Sequence, residues 1–203
     1  MKTPHKAKLI ILQLSILYLT LIIPTITFTH TTQWYSYNYL DTSIQKQITK
    51  EHYQSQINNL LSYLKYQTDL NENWTPKEKS HYHDVRNIYL ILILIALTAS
   101  MTTIKLLPKR AKKLSKISLI NIIIIIIVSA ILFLNFKTFW NNIFHSLLFT
   151  DNNWQMTPDD TSYYLFPLKF FSNTTIAILI SSITINLCIY CGSQIHKLIK
   201  KNK

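Results

Sequence analysis

The sequence predicts an all-α integral membrane protein, a four-helix transmembrane bundle with amphipathic helices in its outer loops. Three observations predict it. Apolar residues make up 48% of the 203-residue chain and gather into four blocks. Lysine and arginine flank those blocks and the link between the second and third. All nine Asp and Glu residues fall in two long segments between blocks.

A bilayer core about 30 Å thick takes about 20 apolar residues at about 1.5 Å rise. Residues 9–28, 88–107 and 117–136 meet that length. The fourth block is shorter, so the span is read as 172–190, with Phe170 and Phe171 helping to fill it. Gln13, Asn121 and Asn186 interrupt these runs without adding charge. The chain is read as one membrane domain, residues 1–203.

The net charge of +12 is compatible with nucleic-acid binding, but its distribution argues against that partner. Lys2, Lys6 and Lys8 precede the first span. Lys105, Lys109, Arg110, Lys112, Lys113 and Lys116 lie in or beside the link 108–116, and Lys197, Lys200, Lys201 and Lys203 follow the fourth span. Such an excess marks the cytoplasmic side. Both termini and the link are therefore expected inside a cell membrane, and the loops 30–87 and 137–171 outside. Each juxtamembrane cation gains about 1 kcal/mol from anionic lipid, so membrane lipid is an expected partner. Cys188 and Cys191 form a lone CxxC pair inside an apolar helix, a poor basis for redox or metal chemistry.

Taken in order, the first apolar run exceeds a signal-peptide h-region and has no A-x-A-like cleavage site, so an uncleaved span is expected. Pro24 is tolerable near its outer end. The first outer loop opens with Trp34, Tyr35, Tyr37 and Tyr39, an aromatic cluster suited to the headgroup layer. Leu40, Ile44 and Ile48, then Tyr53, Ile57, Leu60, Leu61 and Leu64, recur with helical spacing. Those helices either rest apolar-side down on the membrane or bundle, or build a small subdomain with its own core.

Thr75-Pro76-Lys77-Glu78 is a helix start: a capping residue, proline at the first helical position and glutamate three beyond the cap. No breaker follows until Pro108, which predicts a helix of about 32 residues and about 48 Å. Its outer turns carry Ser80-His81-Tyr82-His83-Asp84-Val85. In helical register His81, Asp84, Val85 and Ile88 share a face and His83 points away. Asp84 is thereby expected to orient His81. The third span holds six successive isoleucines and no chemistry. Beyond it comes Phe144-His145, and topology puts His145 at the same membrane face as His81.

His81-Tyr82-His83-Asp84-Val85 resembles a His-Met-x-Asp-Val motif. Phe144-His145, Phe149, Trp154, Pro158, Pro167 and Phe170-Phe171 resemble a second signature, FHxxFF…W…P…D…P..FF. Together with the four spans they make the chain similar to the lipoprotein intramolecular transacylase (Lit) family of Gram-positive bacteria, over nearly its whole length. Three positions depart from the pattern. Tyr82 stands for Met, Leu148 stands for the first Phe of a pair, and the segment 158–167 is about one residue short. Either Asp159 or Asp160 matches the family aspartate.

The resemblance implies an enzyme that moves the sn-2 acyl chain of a diacylglyceryl-cysteine lipoprotein to its own α-amino group, giving the lyso-form. Diacylated lipoproteins become the expected substrates, His81 and His145 the catalytic pair, and Asp84 their support. Tyr82, Val85, Phe144, Phe149, Trp154, Asp160, Phe170 and Phe171 become candidate contacts to substrate or interface, with Trp154, Phe170 and Phe171 read first as interface anchors. Histidine, with an ordinary pKa near 6.5, is suited to the proton transfers of ester aminolysis. That chemistry requires neither cofactor nor metal, and the outer loops offer no Cys or GxSxG nucleophile. A non-enzymatic membrane protein with partner-binding outer loops, an immunity or accessory factor, is the competing class. A transporter would place ionisable groups near the midplane, where these spans have none. Oligomeric state is left open.

Overall fold

The computed structural model describes residues 3–40, 44, 46–107 and 111–201. Lys2, Asp41, Pro108, Lys109, Arg110 and Lys203, used above, lie outside the described residues, as do the side chains of His5, Lys112 and Lys201.

The described elements are helical throughout. In order they are α1 (Thr3–Thr29), α2 (Thr32–Tyr39), α3 (Lys50–Leu64), α4 (Pro76–Leu106) and α5 (Ala111–Leu134). A broken stretch follows, made of α6 (Phe136–Thr138), a π-helix (Phe139–Phe144) and α7 (His145–Leu148). Then come α8 (Thr161–Leu165) and α9 (Leu168–Lys201). Four helices, α1, α4, α5 and α9, are long and apolar enough to cross a membrane. Helix α9 runs past 172–190 on both sides, because it contains no proline to stop it.

By contacts the chain divides into two compact units. One comprises residues 1–25, 91–134 and 176–203, the other 26–90 and 135–175. The first is apolar outside and partly polar within. Ile91, Leu94, Leu97, Ile104, Ile126 and Ile131 are exposed, whereas Ser118, Asn121, Ser182 and Asn186 are fully buried beside Leu12, Ile16 and Ile117. Asn186 Nδ2 donates to Thr20 Oγ1 at 2.9 Å, and Asn121 Nδ2 donates to Asn186 Oδ1 at 3.4 Å. These bonds tie α1, α5 and α9. Lipid tails are as apolar as leucine, so such a bundle takes its specificity from small side chains and interhelical hydrogen bonds.

The second unit has a conventional interior. Tyr53, Ile57, Leu60, Leu61 and Leu64 on one face of α3 are buried with Tyr35, Trp74, Tyr82, Leu165 and Phe170. The helical spacing in the first loop thus ends in a packed core, each large side chain contributing about 2 kcal/mol by burial. Tyr35 stacks on Phe170 with ring centroids 5.4 Å apart. Trp34 is tied by Nε1 to Thr174 Oγ1 at 2.9 Å. Of the opening aromatic cluster, Tyr37 stays exposed.

Helix α4 begins as its residues dictate. Glu78 N–H donates to Thr75 Oγ1 at 3.3 Å, and Thr75 N–H donates back to Glu78 Oε2 at 2.8 Å. That reciprocal pair satisfies two of the donors a helix start leaves open.

Candidate active site

His81 lies in the second turn of α4, ahead of the apolar run 88–107. His145 follows the π-helix, and the chain reaches that helix through a break at Asn135. With φ −152° and ψ 76°, Asn135 leaves α5, and its side chain accepts from Thr138 N–H at 3.1 Å to start a new helical stretch. In the π-helix the Trp140 carbonyl meets His145 five residues on. It accepts the His145 backbone N–H, and His145 Nδ1 lies 2.7 Å from the same oxygen. A carbonyl can only accept, so Nδ1 carries the proton and Nε2 keeps the lone pair.

The two imidazoles sit with ring centroids 6.5 Å apart. Both are buried, His81 9% and His145 8% exposed. Phe149 fills the space beside them, 4.7 Å from His81 and 5.6 Å from His145. Trp154 stacks on His145 at 4.4 Å, and Phe144 meets the His145 ring edge-on at 5.4 Å. Burial, then the neighbouring His145, push His81 down to about 4, against a smaller opposing pull from Asp151. Burial also lowers His145, offset in part by its bond to the Trp140 carbonyl. Burial thus favours the neutral form of both rings.

A cavity of about 700 Å³ opens over the pair, within the range that takes small ligands. His81, Tyr82, His145, Trp154 and Phe171 line it, with Trp140, Ser162 and several amides. Phe170 is in the core of the unit, and Val85 packs against that core. Trp154, expected as an interface anchor, covers one face of His145. Phe171 likewise stacks on Trp140 at 4.4 Å.

Asp84 is placed differently from expectation. Its Oδ1 lies 3.6 Å from His83 Nδ1, and both side chains are substantially exposed. His81 Nδ1 is buried with no hydrogen-bond partner among the described residues. Helical register put Asp84 on the face of His81, but an exposed carboxylate gains more by staying at the water-facing side with His83.

A second layer escaped the sequence reading. Glu78, fully buried, accepts from Ser162 N–H and Ser162 Oγ–H, both at 2.6 Å. With that hydroxyl proton committed, Tyr82 must donate its own to Ser162 Oγ across 2.8 Å. The departure Tyr82 therefore has a local partner. Asp160 is 4% exposed and accepts from Thr75 Oγ1, Lys77 Nζ and Thr157 N–H at 2.7–2.9 Å. Burial pushes its carboxyl up, but these bonds outweigh burial and hold it down to about 2. Of the two candidate aspartates Asp160 is the structural one, and Asp159 is exposed. Glu78 and Asp160 bind the start of α4 to the segment 157–162. Glu78 was legible as a cap, but nothing local announced its second partner. Among the described residues no three His, Cys, Asp or Glu side chains are grouped to hold a metal ion.

The family sequence pattern described as "Lipoprotein intramolecular transacylase Lit" matches residues 8–171. A sequence search among curated proteins finds no match. Among solved structures, the chain is similar to the membrane integral lipoprotein intramolecular transacylase Lit from Bacillus cereus. Identity is 22% and the TM-score 0.80, covering 100% of this chain and 99% of that one. A histidine-to-alanine variant of the same protein gives 20% identity and a TM-score of 0.83, covering 98% and 96%. At such identities the likeness establishes a shared fold.

Proposed function

Because the chain belongs to the lipoprotein intramolecular transacylase family, an enzyme family of the membrane, we propose the reaction it performs and the residues that perform it. The substrate is a lipoprotein whose N-terminal cysteine carries a diacylglyceryl thioether and a free α-amino group. The enzyme moves the sn-2 acyl chain onto that amine and leaves a lyso-form lipoprotein. The lysine pattern supports cytoplasmic termini and a site at the outer face of the cell membrane.

The observation that carries this reading is the buried pair His81 and His145, with ring centroids 6.5 Å apart under one cavity. The amine, with an ordinary pKa of about 7.7–8.0, must lose a proton to attack the ester carbonyl. His145 is the better base, because the Trp140 carbonyl fixes its tautomer and supports its positive charge. The amine nitrogen bonds the carbonyl carbon and its proton passes to His145 Nε2. Neutral His81 offers a ring N–H to the developing oxyanion. Collapse breaks the bond to the sn-2 oxygen, which takes the proton back from His145. Amine and ester belong to one molecule, so much of the acceleration comes from holding them together. Asp84, paired with His83, is left at most an electrostatic influence.

Mass spectrometry of lipoprotein N-termini tests the reaction in a host lacking such an enzyme. The lyso-form should accumulate only when the protein is expressed. A diacylated N-terminus that stays unchanged beside abundant, membrane-inserted protein would overturn the proposal.

A further inference from the structure

The cavity over the two histidines has a chemically unusual wall. None of its described lining residues is Asp, Glu, Lys or Arg. Four carboxamides, Gln47, Asn141, Asn142 and Gln155, are among its polar lining residues. None of the four amide side chains is hydrogen-bonded to another described residue. Gln47, Asn142 and Gln155 are exposed and Asn141 half-buried, whereas His81, His145 and Ser162 are buried. The amides thus form the water-facing rim and the histidines the floor. Asn141 and Asn142 belong to the π-helix that ends at His145, a wider turn of the kind that recurs at functional sites.

From this arrangement we infer that the amide rim binds the peptide backbone that follows the acylated cysteine. This rests on the transacylase reading and names how that site takes hold of its substrate. Each carboxamide has one acceptor and two donors, the same complement that a peptide chain presents along its length. Among the described lining residues a phosphate-bearing lipid headgroup finds no cation, and a charged side chain finds no counter-ion. The rim therefore reads what every polypeptide shares and ignores what distinguishes one from another. An enzyme built this way accepts lipoproteins of diverse sequence, provided that the backbone next to the cysteine is extended and free.

The test uses the purified full-length protein in lipid nanodiscs and synthetic diacylglyceryl-cysteine pentapeptides. Their α-amine is acetylated so that they bind without reacting. Binding is followed by quenching of tryptophan fluorescence, since Trp140 and Trp154 line the cavity. N-methylation of the peptide bonds at the second and third residues should weaken Kd about tenfold. Exchanging Ala for Lys or Glu at those residues should change it less than threefold. Asn142→Ala and Gln155→Ala should each weaken pentapeptide binding about fivefold and reduce the penalty of N-methylation, as loss of about 1 kcal/mol per hydrogen bond predicts. Equal Kd for methylated and unmethylated peptides overturns the inference, and so does a tenfold preference for one charge. The free-amine peptides are assayed separately. If none is N-acylated the transacylase reading fails, while the binding curves still decide the role of the rim.

Discussion

The two compact units of this chain solve opposite packing problems with the same residue types. In the unit of residues 1–25, 91–134 and 176–203, apolar side chains face outward and Asn121 and Asn186 are buried inside. In the unit of residues 26–90 and 135–175, aromatic rings fill the interior, and buried carboxylates fasten one segment to another. Lipid cannot drive apolar groups together, so there a few hydrogen bonds select the helix pairing. Water can, so the other unit gains stability from burial and reserves its polar atoms for placing the site. Burying Glu78 and Asp160 is costly in either setting, and each is offset by a full set of donors.

The sharpest way to break this contrast is at the histidines. His145→Ala or His81→Ala should lower lyso-lipoprotein formation at least about 100-fold, the usual worth of acid–base groups, while membrane insertion and melting stay near wild type. Quantitative mass spectrometry of N-termini alongside melting in detergent reads both effects.

Glu78→Ala separates stability from chemistry within the same unit. It leaves the buried Ser162 N–H and hydroxyl without their acceptor, at a cost of about 3 kcal/mol. Melting should fall clearly, and activity at low temperature should fall less than in the histidine variants. If melting does not change, the Glu78–Ser162–Tyr82 chain has no structural weight.

In the other unit, Asn186→Leu should cost about 1 kcal/mol, the modest value typical of polar contacts between membrane helices. Thermal unfolding in detergent or lipid measures it. A cost as large as that of Glu78→Ala would erase the distinction drawn between the units.

The smallest effect is expected from Asp84→Asn. The carboxylate lies beside exposed His83, so activity should drop no more than about threefold, and His83→Ala should behave alike. A tenfold loss in Asp84→Asn would return Asp84 to the support of His81 that register alone suggested.

These regions also differ in how far they could be read without coordinates. Block length and composition are enough to predict spanning helices, because the bilayer imposes one length and one solubility rule on each segment separately. The start of α4 was equally legible, since Thr75, Pro76 and Glu78 act within one turn. Register turned His83 outward, but it also put Asp84 with His81, whereas the carboxylate lies beside His83. That choice depends on local exposure, which a helical wheel does not contain.

By itself, then, the sequence determined the all-helical membrane architecture, the long helix carrying His81, and the two-part motif that ties His81 to His145. Each of these rests on local pattern, and local pattern survives in one dimension. Tertiary structure alone decided the 6.5 Å approach of the rings, the Trp140 carbonyl on His145, and the stacking of Trp154 on that ring. It also joined Glu78 to Ser162 across 84 positions of chain. Such contacts depend on how distant segments fold back on one another. Only the packed molecule holds that information.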